Sequence, residues 1–216
     1  VYDIDHGHRL LKKIEVPDSG DYKGIAASAQ LGKLYVTSYK KDDLICIDLK
    51  TDKIDWRKHL GAYGDSMQIT PDGKSMYLPF RDEDYWKVVD TATGDVLATI
   101  HTEHGKNYAV SPIGNPVGPH NTWINRAGTR AYLEVLTVPY VRIVDIATNQ
   151  VIGKVGPFTK GIRPFAVSAD EKLLYANVDG VLGFGVGRVQ ENGKWGGPAL
   201  YTVETKTPAE RLKQMN

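Results

Sequence analysis

Cysteine is nearly absent. Cys46 stands alone among 216 residues, which excludes an internal disulfide and any zinc cage built on cysteine. Long apolar runs are missing as well, and no stretch approaches the roughly 18 residues that a membrane-spanning helix needs. Neither sign of charge is in excess, with 27 Lys+Arg against 26 Asp+Glu and a net charge of +1. Without surplus cations to release counterions from a phosphate backbone, no nucleic-acid partner is expected. There is no Gly-x-Ser-x-Gly elbow to present a nucleophilic serine. Hydrophobic residues at 41% and charged residues at 25% argue against disorder. The 22 Gly and 11 Pro suit a chain of strands and turns.

Internal repetition organises the rest. Four segments carry a tyrosine in an apolar strand after a polar turn: Gly32-Lys33-Leu34-Tyr35-Val36, Gly73-Lys74-Ser75-Met76-Tyr77-Leu78, Gly128-Thr129-Arg130-Ala131-Tyr132-Leu133 and Glu171-Lys172-Leu173-Leu174-Tyr175-Ala176. Their tyrosines are 42, 55 and 43 residues apart. Thirteen residues beyond each of the first three, an aspartate closes a second apolar strand: Asp48, Asp90 and Asp145. Asp3, in Val1-Tyr2-Asp3-Ile4, matches the same position. A polar turn and a short β-branched strand follow each aspartate, as in Ala92-Thr93-Gly94-Asp95 before Val96-Leu97-Ala98-Thr99-Ile100.

Each unit therefore has four short strands, A to D, and no room for a helix. One such sheet cannot bury both faces, so the units must pack face to face around an axis, which makes an all-β protein, a β-propeller of four-stranded antiparallel blades. The tyrosine is expected between blades, and the aspartate as an Asx-turn former that accepts from backbone N–H groups ahead of it. About four and a half blades are present across residues 1–205. They are a half blade at 1–15, then blades at about 20–60, 61–117, 118–157 and a divergent one at 160–205. The half blade is expected to be completed by inner strands from beyond residue 216 or from another chain. Thr207-Pro208-Ala209-Glu210 signals a short helix over 207–216 that leads out of what reads as a fragment. The Gly-rich run Gly183-Phe184-Gly185-Val186-Gly187 precedes no helix, so a dinucleotide fingerprint is rejected.

Leu34-Tyr35-Val36-Thr37-Ser38, Ile47-Asp48-Leu49-Lys50-Thr51 and Thr70-Pro71-Asp72-Gly73-Lys74-Ser75-Met76-Tyr77 resemble the repeat of the YVTN-type β-propeller family. The resemblance covers nearly the whole chain and departs from the pattern in the fourth full blade, where Arg188 replaces the turn aspartate. It implies a bacterial or archaeal protein, periplasmic or secreted, commonly part of a seven-bladed ring. It fixes no activity, since related propellers include lactonases, a lyase, quinoprotein-like subunits and plain binding modules.

Twelve residues before each tyrosine lie Lys23, Asp65, His120 and Arg163, all ionisable. At the start of innermost strands these would form an arc around the channel mouth, with Asn121 beside His120 and with Ile25, Met67, Thr122 and Phe165 packed behind. The long 55-residue interval places an insertion, about Thr102 to Gly118, over the same mouth as a lid. Arg81-Asp82-Glu83-Asp84-Tyr85-Trp86 brings carboxylates there, with a Tyr-Trp pair as a lesser contact for a sugar or aromatic ligand. A divalent metal is a minor reading, with His101, His104 and His120 as candidate ligands. His6 and His8 are expected to be incidental, and Cys46 inert in a strand. Three functions remain open. The first is a module binding a small anionic or carbonyl-bearing molecule, or an extended peptide partner, through Lys23, Asp65, His120, Asn121 and Arg163. The second is a lyase or lactone hydrolase with His120 as catalytic acid or base. The third is a structural subunit of a larger assembly.

Overall fold

The computed structural model describes residues 1–102, 118–136, 138–158 and 161–178, together with the backbone of 183–188 and 201–204. Strands β1 (Tyr2–Asp3) and β2 (Arg9–Leu10) pair as a small antiparallel sheet. Four four-stranded antiparallel sheets follow in chain order. Blade 1 holds β3 (Tyr22–Ser28), β4 (Lys33–Ser38), β5 (Asp43–Asp48) and β6 (Ile54–His59). Blade 2 holds β7 (Gln68–Ile69), β8 (Ser75–Pro79), β9 (Tyr85–Asp90) and β10 (Val96–His101). Blade 3 holds β11 (Pro119–Ile124), β12 (Arg130–Val135), β13 (Val141–Asp145) and β14 (Gln150–Val155). Blade 4 holds β15 (Ile162–Val167), β16 (Leu173–Val178), β17 (Gly183–Arg188) and β18 (Tyr201–Glu204). No helix occurs among the described residues, so none there could cross a membrane. The expected helix at 207–216, most of the 102–118 insertion with His104, and the side chains of the Gly-rich run lie outside the described residues.

The middle strands explain the packing. In β5 and β12 consecutive side chains are buried on both faces; β5 accordingly reads as an apolar run between its end aspartates, and β12 is apolar from Ala131 to Leu133 before the buried Glu134. The outer β10 is largely open, and β6 is mostly half-buried. The first three blade tyrosines fill the layer against the next blade. Tyr35 packs with Met76, Leu78 and Phe80, Tyr77 with Ala131 and Leu133, and Tyr132 with Leu174 and Ala176. All three are fully buried, and each hydroxyl donates across the layer: Tyr35 to Thr91 O at 3.0 Å, Tyr132 to Glu171 Oε2 at 2.9 Å, and Tyr77 to Asn149 Oδ1. A buried phenol needs such a partner. Tyr175 departs from the expected burial and is 38% exposed. It lies on the far face of blade 4, which no further blade covers among the described residues.

The aspartates act as expected. Asp48 Oδ1 accepts from Lys50 N and Thr51 N at 2.9 and 2.8 Å, and Asp90 Oδ1 from Ala92 N and Thr93 N at 2.8 and 2.9 Å. Asp145 Oδ1 accepts from Thr148 N at 2.9 Å, and Asp3 Oδ1 from Asp5 N and His6 N at 3.1 and 3.2 Å. His6 adds its ring to Asp3 and thus belongs to that turn. The segment leading into blade 1 lays Ile14 and Val16 on Val36, Ile45 and Ile47, and Lys12 Nζ donates to Asp52 at 2.7 Å. Cys46 is buried in β5, where burial pushes its thiol up to about 11 and makes it inert at neutral pH.

Candidate functional site: the channel mouth

One irregularity recurs in every blade. Tyr22 faces Ser38, yet Ile25 faces Val36. Gly64 bridges Phe80, yet Gln68 faces Tyr77. Pro119 faces Val135, yet Thr122 faces Leu133. Ile162 faces Val178, yet Phe165 faces Ala176. In each case the inner strand holds one residue more than its partner, which is a β-bulge. The extra residues fall in Lys23-Gly24, Asp65-Ser66-Met67, His120-Asn121 and Arg163-Pro164. The four ionisable residues singled out by spacing therefore sit at one equivalent bulge, a device that re-aims side chains at the rims of sheets. Blades 1 and 2 meet tightly there: a Cβ on Gly24 would come within 2.2 Å of the Asp65 carbonyl oxygen.

At the centre of the arc lies a buried charge cluster. Asp65 is fully buried, and its Oδ1 accepts from Ser66 Oγ at 3.1 Å. Its Oδ2 lies 3.5 Å from His120 Nε2 and 3.7 Å from an Arg81 guanidinium nitrogen. On the other edge of the imidazole, Nδ1 is 3.8 Å from Glu134 Oε2. His120, only 14% exposed, thus stands between two buried carboxylates. Its pKa lies below the usual histidine value. Burial is the main cause, opposed by the Asp65 charge and reinforced by the cations Arg81, Arg163 and Lys23. The ring is neutral at pH 7. On their bulges Lys23 and Arg163 are exposed, whereas Asp65 is buried and His120 half-buried. Formally, three cations face two carboxylates.

Other expectations meet mixed outcomes. Asn121 is committed to the scaffold, since its backbone N–H and side-chain Nδ2 both donate to Glu134 Oε2, at 3.2 and 2.8 Å. Met67 is buried as expected, but Ile25 is 66% exposed, because the bulge before it turns its side chain out. Trp86 is fully buried among Val88, Ile100 and Leu133 and cannot stack on a ligand, while Tyr85 packs on Phe80 and His101. The charge run is absorbed locally. Asp82 Oδ1 accepts from Tyr63 N at 3.2 Å, and Asp84 pairs with His101 Nδ1 at 3.4 Å. No group of three or more His, Cys, Asp or Glu side chains is placed to hold a metal among the described residues.

Spacing did not single out Arg81 or Glu134. Glu134 had a signal, for it lies two residues after Tyr132, inside a strand whose neighbours are all buried. A carboxylate there must answer a buried donor. Arg81 had none beyond membership of a charge run.

No protein-family model and no curated protein matches the chain. Solved structures do. The chain is similar to Kuenenia stuttgartiensis hydrazine synthase, with a TM-score of 0.61 at 17% identity over 86% of this chain and 51% of that one. It is also similar to a putative 6-phosphogluconolactonase from Bacteroides uniformis, with a TM-score of 0.63 at 14% identity over 82% of this chain and 55% of that one. The fold is a β-propeller. At these identities the likeness carries the fold alone, and the chain spans about half the length of the structures it matches.

Proposed function

We propose that this propeller is a binding module whose channel mouth takes a small anionic or carbonyl-bearing ligand. The observation that carries the reading is the placement of exposed Lys23 and Arg163 on equivalent bulges either side of a half-buried His120. Asp65 neutralises Arg81 from within, which leaves the two exposed cations to set the sign of the mouth. An oxyanion there would gain charge-assisted hydrogen bonds from both, and Arg163 offers the fork suited to a carboxylate or phosphate. The test is an NMR titration with inorganic phosphate and with citrate. Amides of Lys23, His120 and Arg163 should move together, and Lys23→Ala or Arg163→Ala should weaken binding by about tenfold or more. Shifts confined to other faces, or full affinity in both variants, would sink the reading.

A second reading, a lyase or lactone hydrolase, is favoured by one observation. A neutral imidazole flanked by carboxylates is equipped to accept a proton at pH 7. In that case His120→Ala abolishes turnover and leaves the phosphate titration intact. We further take the protein to be extracytoplasmic and of the YVTN type, on the strength of its repeat, and the sheet of β1 and β2 to be completed by further strands. Exposed Tyr2, Ile4, Leu10 and Leu11 on and beside that sheet support a docking partner for it.

A further inference from the structure

The residue two beyond each blade tyrosine answers the bulge beside it. In blade 1, Thr37 Oγ1 accepts from Gly24 N at 2.7 Å. In blade 3, Glu134 Oε2 accepts from Asn121 N at 3.2 Å. In blade 4 the second bulge residue is Pro164, which has no N–H to offer, and the hydrogen bond runs the other way: Asn177 Nδ2 donates to Arg163 O at 2.6 Å. In blade 2 the position is Pro79, whose side chain has no polar atom, and its carbonyl accepts from Asp65 N at 3.0 Å.

We infer that Thr37, Glu134 and Asn177 are positioning residues of the mouth, each matched in hydrogen-bonding sense to its own bulge, and that they fix the direction in which Lys23, His120 and Arg163 are presented. The matching carries the argument. In blades 1 and 3 the N–H of the second bulge residue meets an acceptor, and the blade 4 bulge, which has no such N–H, meets a donor. A merely decorative polar residue would not change sense with its neighbour. Thr37 and Glu134 are also almost wholly buried, where an unanswered donor is costly. The functional consequence rests on the mouth being the binding site proposed above, whereas the lock itself does not.

Thr37→Val keeps shape and removes the acceptor, and Thr37→Ser keeps the hydroxyl. Hydrogen exchange at the Gly24 amide should accelerate by roughly tenfold or more in the valine variant, and stay near the parent rate in the serine variant. Amides of β8 and β9 should be unaffected in both. Equal Gly24 exchange in all three proteins overturns the lock. Asn177 is exposed, so Asn177→Asp should fold; it replaces the donor by an acceptor and should shift the Arg163 carbonyl resonance, and an unmoved resonance overturns the matching in blade 4. Inorganic phosphate, titrated into the same proteins, separates the two layers. Weaker binding in Thr37→Val with recovery in Thr37→Ser supports the positioning role. Unaltered phosphate affinity despite a loosened bulge overturns that role, and no phosphate binding by the parent overturns the reading of the mouth while leaving the lock standing.

Discussion

At the scale of single residues, His120 shows how burial and charge act against each other. Its folded pKa is depressed below the roughly 6.5 of an unfolded chain, because loss of hydration and three nearby cations outweigh Asp65. Above about pH 6.5 both states hold a neutral ring. As the pH falls below that, the unfolded chain takes up the proton first, so stability falls until the folded pKa is reached. The urea midpoint is therefore expected to decline between pH 7 and pH 5, and His120→Gln should flatten that decline. Urea titrations of both proteins at several pH values check it, and equal slopes would contradict it. The tyrosines supply a second residue-level comparison. Tyr35→Phe removes a hydrogen bond to Thr91 O and should cost about 1 kcal/mol. Tyr175→Phe, at a partly exposed position, should stay within about 0.5 kcal/mol of the parent. Denaturant unfolding of the two variants measures both.

At the scale of elements, the bulge matters more than the strand that carries it. Moving one register step on an inner strand turns every later side chain to the other face, and that is why Ile25, the first paired residue beyond the bulge, emerges into solvent. Gly24 is required because the blade 2 backbone occupies the space of its Cβ. Gly24→Ala should destabilise by about 1–3 kcal/mol and displace the Asp65 carbonyl. Thermal unfolding reads the first effect and the Asp65 and Ser66 amide shifts read the second, and a variant with parental stability and shifts would refute the close approach. Blade turns tell a complementary story. Gly73 and Gly128 adopt positive φ in the A–B turns of blades 2 and 3, while blade 4 places Glu171 at φ 56 in the matching turn. That carboxylate takes up the Tyr132 hydroxyl and Asn125 Nδ2, so a less suitable turn residue is retained where it joins two blades.

At the scale of the molecule, stability is a chain of neighbour-to-neighbour layers, as repeat architecture requires. Blades 2 and 3 are covered on both faces, whereas the far face of blade 4 leaves Tyr175 partly open. Native-state hydrogen exchange is expected to be slowest in β8, β9, β12 and β13 and faster in β15 and β16. Uniform protection across all four blades would show that the layers do not open separately. Trp86, the largest fully buried side chain among the described residues, belongs to the layer between blades 2 and 3. Trp86→Ala should cost about 3–5 kcal/mol, read by urea unfolding, with the loss centred on that layer.

The sequence by itself determined the blades, the interblade role of Tyr35, Tyr77 and Tyr132, the Asx turns and the equivalent strand position of Lys23, Asp65, His120 and Arg163. These rest on local periodicity and on hydrogen bonds spanning two or three residues, which spacing records directly. Only the tertiary structure decided that one extra residue lies on each inner strand, that Trp86 is core and not ligand contact, and that Asn121 serves Glu134. It also decided that His120 stands between Asp65 and Glu134, a partner 55 residues before it and one 14 residues after it, with burial holding its pKa below the usual histidine value. Burial and charge coupling are properties of what lies alongside in space, and a spacing rule holds no record of them until the blades have packed.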